Sequence, residues 1–295
     1  MIAVRHPMRY RLEWCAAVLL RAFACLWPPR VASAFGCALG RAILWLWRSR
    51  RRIAAENLHR AFPDWEERQI AHTVGEVGCN FGRTAFEILR INPSTPSSVR
   101  PTVEVGNLDS IKQAQAEGKG ALFMSGHIGN WELFAGWVHA QGYDFDVVVK
   151  PMRNPYVDRL YNSRRAALGV GIIHTQVATR EIVKALRRNH FVAILADQYA
   201  GDEGVDVTFF GRRASTPRGP AMLALKYQIP IIAGVFLRQK DGSFRVEIDG
   251  RIEIDPTGDT EADIAALTQR YTTLLEEHIR RYPGQWLWTH RRWRD

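Results

Sequence analysis

Nine histidines are scattered through this sequence, and four are followed five positions later by an acid: His59 and Asp64, His127 and Glu132, His139 and Asp144, His290 and Asp295. A histidine that titrates near neutrality can take a proton from a hydroxyl, and a neighbouring carboxylate fixes its tautomer and stabilises the imidazolium. The pattern is cheap, because with 30 acids among 295 residues about one such match arises by chance. Context has to choose among the four.

Only one pair has a setting suited to chemistry. His127 and Glu132 stand in Ala121-Leu-Phe-Met-Ser-Gly-His-Ile-Gly-Asn-Trp-Glu-Leu-Phe, where an apolar strand ends, Gly126 and Gly129 permit a tight turn, and Asn130 is a good helix N-cap. On one straight helix, residues five apart point about 140° away from each other. With His127 in the turn and Glu132 in the first helical turn, the imidazole can instead fold back onto the carboxylate, and an acid suits the positive helix end. Ligand crevices in α/β sheets form at such strand ends. The other pairs span a Phe62-Pro63 break, cross Gly142, or run to the chain terminus. A buried core histidine beside an N-terminal helix acid is the competing reading of the same residues. No serine or cysteine sits in a nucleophile-elbow sequence, so direct attack by an acceptor hydroxyl is simpler than a covalent enzyme intermediate.

The elements that must position this pair follow from the pattern of apolar residues. A long helix is expected from about Glu66 to Leu89, with Ile70, Val74, Val77, Phe81 and Phe86 in helical steps, closed by a Pro/Ser break over Asn92–Ser98. From Val103 the pattern changes to short strands alternating with helices. Strands are expected at Ala121–Ser125, Phe145–Val149, Ile172–His174, Phe191–Ala196, Asp206–Phe210, Ile231–Leu237 and Phe244–Ile248. Helices are expected between them at Asp109–Glu117, Trp131–Gln141, Tyr156–Leu168, Thr179–Arg188 and Pro217–Tyr227, with a last one over Thr260–Arg281. This alternation predicts an α/β fold, a mostly parallel central sheet flanked by helices. Asp241-Gly242 predicts a hairpin between the last two strands, and so an antiparallel edge.

The first sixty residues read differently. They hold eleven arginines and no lysine against Glu13 and Glu56, a net of +9 out of +10 for the whole chain. Such an end needs an anionic partner, nucleic acid or an acidic membrane surface. The arginines alternate with apolar runs flanked by Trp14, Trp27, Trp45 and Trp47, a texture that favours the membrane over nucleic acid. Neither run reaches the roughly 20 clean apolar residues of a spanning helix, so helices lying in the interface are expected. A tilted span and a pair of core helices are the alternatives. The expected organisation is a basic amphipathic membrane-associating segment over 1–60 and an α/β domain over 61–295. The four cysteines, Cys15, Cys25, Cys37 and Cys79, form no CxxC and read as small hydrophobes. They predict neither a disulfide framework nor a zinc site, and fit a chain facing a reducing compartment. No metal is expected, since no second histidine or cysteine joins His127 at ligand spacing.

Ser125-Gly-His127-Ile-Gly-Asn130-Trp-Glu132 resembles the His-x4-Asp/Glu block of the lipid A biosynthesis acyltransferases, the lauroyl/myristoyl branch of the lysophospholipid-acyltransferase-like proteins. Further blocks in the same order are similar to that family: Arg51-Arg-Ile-Ala-Ala-Glu-Asn57-Leu-His-Arg-Ala-Phe62-Pro63, Lys150-Pro-Met-Arg153-Asn154-Pro155 through Arg165 and Gly169, Leu195-Ala-Asp197-Gln198, Phe209-Phe-Gly211 with Ser215-Thr216-Pro217-Arg-Gly219-Pro220, and Gln285-Trp-Leu-Trp-Thr-His290-Arg291-Arg292. The resemblance implies an enzyme on the cytoplasmic face of the bacterial inner membrane. It would acylate a glycolipid hydroxyl from acyl carrier protein, occasionally coenzyme A, with His127 and Glu132 catalytic and without a cofactor. Arg165, with Arg164 as its stand-in, is expected to bind substrate phosphate or the thioester oxyanion. Asp197, at a strand end, and Asn130 are further expected substrate-binding residues, although Asn130 reads first as a cap. Arg291 and Arg292 are expected either to touch lipid phosphates or to solubilise the tail. An acceptor such as a phosphatidylinositol mannoside, or a non-catalytic membrane- or nucleic-acid-binding protein, are the competing functions.

Overall fold

The computed structural model describes residues 7–92 and 103–294. Most of the expected Pro/Ser break, from Pro93 onward, lies outside the described residues. Four helices come first: α1 (Pro7–Leu26), α2 (Pro29–Leu46), α3 (Arg48–Ala61) and α4 (Glu67–Arg90). Next come β1 (Val103–Val105), α5 (Asp109–Glu117), β2 (Ala121–Ser125), α6 (Trp131–Ala140), β3 (Phe145–Val149), α7 (Pro155–Ala167), β4 (Gly171–His174), α8 (Ala178–Arg187) and β5 (Phe191–Leu195). The chain ends with β6 (Val205–Phe209), β7 (Arg212–Thr216), α9 (Gly219–Tyr227), β8 (Ile231–Arg238), β9 (Phe244–Ile252) and α10 (Thr260–Arg281).

The local signals explain these boundaries. A Glu66/Gln69 capping box starts α4, Asn154 followed by Pro155 starts α7, and the Asp259 carboxylate accepts two amides at the start of α10. Seven strands make one sheet in the order β1-β9-β8-β2-β5-β3-β4. All pairings are parallel except the β8–β9 hairpin, which turns at Asp241-Gly242 with Gly242 at φ 88°. The expected α/β architecture is therefore present, with two differences. The hairpin does not end the sheet, because the short β1 adds in parallel outside β9. The expected strand at 206–210 joins no part of this sheet; with β7 it forms a separate antiparallel ribbon.

Period-2 alternation sorts the side chains of the central strands onto two faces. Along β2, Ala121 and Phe123 face the layer containing α6, while Leu122 and Met124 face the layer containing α9 and α10. A third cluster gathers Leu58 of α3, Ile70 and Val74 of α4, and Trp286, Trp288 and Trp293 of the C-terminal tail. The aromatic tail is thus core: Trp286 and Trp288 are essentially fully buried. Removing a tryptophan ring from water is worth roughly 3–5 kcal/mol, enough to hold the tail against the domain.

The N-terminal helices divide in their packing. α3 is tied into the domain, where Asn57 donates to the carbonyls of Trp288 at 2.8 Å and His290 at 2.6 Å. α2 lies against α4 through facing glycines; a Cβ at Gly40 would run into the Gly78 carbonyl, and one at Gly82 into that of Gly36. This approach brings Cys37 and Cys79 together as a disulfide, a correction to the expectation that all four cysteines are free. No spacing rule could show it, since the two lie on different helices 42 residues apart. Most exposed large apolar side chains of the described residues lie on α1, α2 and the short turn after each, among them Leu19, Leu26, Trp27, Trp45, Leu46 and Trp47. Among the described residues, no helix is long and apolar enough to cross a membrane.

Candidate active site

His127 sits two residues past the end of β2, and Asp197 two residues past the end of β5. The strands are parallel neighbours in which Ser125 pairs with Leu195, so the two side chains emerge side by side. The imidazole Nδ1 lies 2.7 Å from Asp197 Oδ1, and the His127 backbone amide donates to Asp197 Oδ2 at 2.7 Å. Trp286, from the C-terminal tail, adds a third hydrogen bond, its indole Nε1 donating to Oδ2 at 2.7 Å.

The electrostatics follow from this geometry. Burial alone would raise the Asp197 carboxyl, but the charge and hydrogen bonds of His127, with the Trp286 donor, pull it down to about 2. Burial likewise opposes a charged imidazole, yet the Asp197 charge and hydrogen bond, and then the charge of Glu132, raise His127 above its ordinary value. In the neutral imidazole, the ionised Asp197 therefore accepts from Nδ1–H. That assigns the remaining lone pair to Nε2, which makes no hydrogen bond among the described residues.

The sequence expectation gave His127 to Glu132, and the structure gives the carboxylates different work. Glu132 takes the guanidinium of Arg165 in a two-pronged pair, Nε to Oε2 at 2.9 Å and Nη2 to Oε1 at 2.7 Å. Arg165 also donates from Nη1 to Asn162 Oδ1 at 2.9 Å. Three of its five N–H groups are thereby used, and two have no partner among the described residues. The physical reason is helical geometry: Glu132 at the second position of α6 projects toward α7, whereas the turn directs His127 along the sheet edge to β5. Burial first and the Glu132 charge second push the nearby Tyr161 hydroxyl up to about 12, so it stays a neutral phenol.

The other expected contacts sort clearly. Asp197 is buried and partners His127 instead of facing substrate. Asn130 is wholly buried; its Oδ1 accepts the Leu133 amide and its Nδ2 donates to Glu87 at 2.6 Å. Arg164 is buried under α1 near Arg21, away from the cavity that His127 lines, and its pKa is lowered by burial and by that second cation. Arg292, expected at a lipid phosphate or in the solvated tail, is buried and donates to the Ser215 carbonyl and the Thr216 hydroxyl. Trp286 was missed as a site residue, and only the tail's position in three dimensions shows its role. Among the described residues no group of histidines, cysteines and acids could hold a metal ion.

His127, Glu132 and Arg165 stand at one cavity of about 700 Å³ whose walls are mainly apolar. The register shows how it is layered. Ser125, Leu195 and Val149 form the row near His127; Phe123, Ala193 and Val147 form the next; Phe145 stands one row deeper. α6 covers the cavity with Trp131, Phe134 and Ala135. The small side chain of Ala193 keeps the middle row open. From Val149 to Phe145 the strand covers about 13 Å, so the cavity suits an extended hydrocarbon.

A histidine paired with a carboxylate at a mainly apolar cavity is an arrangement that acyl transfer can use, and the chain is an acyltransferase. All of residues 1–295 match the family model described as bacterial lipid A biosynthesis acyltransferase, and the chain belongs to that family. It is 25% identical over 244 residues to the lipid A biosynthesis acyltransferase of Haemophilus influenzae, covering 82% of this chain and 74% of that protein. It is 26% identical to the lipid A biosynthesis lauroyltransferase of Escherichia coli K12, over 99% of this chain and 94% of that one. It is also 26% identical to the phosphatidylinositol mannoside acyltransferase of Mycobacterium tuberculosis H37Rv, over 70% of this chain and 66% of that one.

Proposed function

We propose that this enzyme moves a fatty acyl chain from a thioester, carried by acyl carrier protein or coenzyme A, to a hydroxyl of a lipid A precursor. The observation that carries the reading is the His127–Asp197 pair opening, through Nε2, into the apolar cavity. The hydroxyl proton passes to Nε2 as the oxygen bonds to the thioester carbonyl carbon. The C–S bond then breaks, and the leaving thiolate takes the proton back from the imidazolium, which Asp197 has stabilised. No covalent enzyme intermediate is required.

The developing oxyanion needs donors. The amides of residues 127 to 130 are all engaged, with Asp197, the Gly126 carbonyl, the Gln285 carbonyl and the Phe236 carbonyl in turn. That favours Arg165, with two N–H groups unpaired among the described residues, and the Trp131 and Glu132 amides that open α6, which have no intrahelical acceptor and lie at the positive end of the helix. Glu132 holds Arg165 in place and adds negative charge near His127, a role different from orienting the imidazole.

The exposed tryptophans and leucines of α1 and α2, interleaved with arginine, support seating the enzyme on an anionic inner-membrane leaflet at its cytoplasmic face, where the acceptor lies. The mycobacterial relative favours a second acceptor class, a phosphatidylinositol mannoside. Mass spectrometry of lipid A from cells with and without the gene, complemented by wild type or His127→Ala, separates these. A missing acyl chain restored only by wild type is expected. An unchanged lipid A acylation pattern on deletion, with transfer to a mannoside acceptor in vitro, would replace the acceptor. Full complementation by His127→Ala would remove the proposed base.

A further inference from the structure

A buried ion pair lies behind the catalytic turn, on the side away from Asp197. Arg238, the last residue of β8, meets Glu87 of α4 through Nη1 at 2.5 Å and Nη2 at 2.7 Å. Arg238 is 7% exposed, and the Glu87 side chain is largely covered, at 15% exposed. Isolated charges there would cost several kcal/mol each, and paired ones still make weak evidence for stability. Their neighbours suggest another use.

Glu87 Oε2 also accepts from Asn130 Nδ2, at 2.6 Å, while Asn130 caps α6 through Oδ1. Arg238 Nε donates to Asn80 Oδ1 at 3.2 Å, and the amide of that same Asn80 donates to the Gly129 carbonyl at 2.9 Å. Thr84 adds a hydroxyl to that carbonyl at 3.3 Å. The Gln285 side chain closes the ring by bonding both backbone groups of Arg238, each at 2.9 Å. Its own carbonyl accepts the Gly129 amide at 3.1 Å. Gly129 is at φ 63°, and a Cβ there would meet the Phe236 carbonyl, so this turn admits no side chain and is held entirely from outside.

We propose that Glu87 and Arg238 are positioning residues for acyl transfer. Through Asn130 and Asn80 they set the place of the Gly129–Asn130 turn, and with it His127 on one side and the Glu132–Arg165 pair on the other. The inference rests on the acyl-transfer reading above. Neither residue touches the cavity, so neither is expected to change substrate affinity. A misplacement of about 1 Å at reacting groups costs up to roughly 100-fold in rate.

The test compares full-length wild type with Glu87→Gln and with the double variant Glu87→Leu/Arg238→Met, in steady-state acyl transfer and thermal unfolding. kcat is normalised to the folded fraction from circular dichroism, so a poorly folding variant still gives a reading. Glu87→Gln is expected to lower both the unfolding midpoint and kcat, the latter by roughly 10- to 100-fold, with the donor KM changed less than about twofold. The apolar double variant is expected to recover the midpoint, because no unpaired charge is left buried, but not kcat, because Asn130 and Asn80 have lost their partners. Recovery of kcat together with the midpoint, or a wild-type kcat in Glu87→Gln, overturns the positioning role. A wild-type enzyme inactive on every glycolipid acceptor overturns the acyl-transfer reading itself, and this role with it.

Discussion

The indole Nε1 of Trp286 lies 2.7 Å from Asp197 Oδ2, so a residue of the C-terminal tail holds the carboxylate that holds the His127 imidazole. The tail around it is tied to the His127 turn: the Leu287 amide donates to the His127 carbonyl, and Ile128 bridges Trp286. Truncation of the last ten residues should therefore abolish activity before it abolishes the sheet. Trp286→Phe, which keeps the ring and removes the donor, should lower kcat by about tenfold with little change in KM, read from steady-state kinetics.

Asp197→Asn tests the pairing of the imidazole. An amide at that position no longer enforces Nδ1–H and no longer stabilises the imidazolium, so a loss of about 10³-fold or more in kcat/KM is expected. Glu132→Gln should leave the His127 tautomer intact. If the Asp197→Asn enzyme kept near-wild-type activity while Glu132→Gln lost its own, the carboxylate roles would have to be exchanged.

Glu132 and Arg165 should behave as one unit. Glu132→Gln and Arg165→Gln are each expected to reduce kcat by about 10²-fold, and the double variant should be little worse than either. Strict multiplication of the two losses would show that the two residues act separately.

The pH dependence has a defined sign. His127 is raised in the folded enzyme, so its contribution to stability is complete below about 6.5 and is lost as pH rises through the higher folded value. Asp197 is depressed to about 2, so its contribution is present above the ordinary 3.8 and disappears as pH falls from there toward 2. With the free base as the proposed active form, kcat/KM should rise along a limb centred above 6.5, and that limb should move down in Asp197→Asn. A limb at or below 6.5 in wild type would contradict the raised imidazole.

Ala193 should govern how far a chain reaches into the cavity. Ala193→Phe places a ring in the middle row between Phe123 and Val147. Activity with long acyl donors should fall at least tenfold more than with short ones, measured as relative kcat/KM across a donor series. Equal losses across the series would mean that the chain takes another path.

The sequence by itself determined most of the elements of the α/β part, though not the short strands β1 and β7, and where His127 stands among them. Strand–turn–helix patterning around Gly126, Gly129 and Asn130 placed His127 at a sheet end because such preferences are local, and the helices Asp109–Glu117 and Thr260–Arg281 run between the expected residues. Contacts between distant segments were beyond it. Glu132 stands five residues from His127, yet the imidazole bonds Asp197, 70 positions away, because β2 and β5 are neighbours in the sheet. Asn130, legible as a cap, proved to be the link to Glu87 and Arg238 only once α4 and β8 were laid beside it. The same holds for Cys37 and Cys79, which meet because glycines on two helices allow their backbones to touch. Hydrogen bonds and ion pairs form by proximity in space, and proximity across a parallel sheet is set by strand order, which no local spacing records.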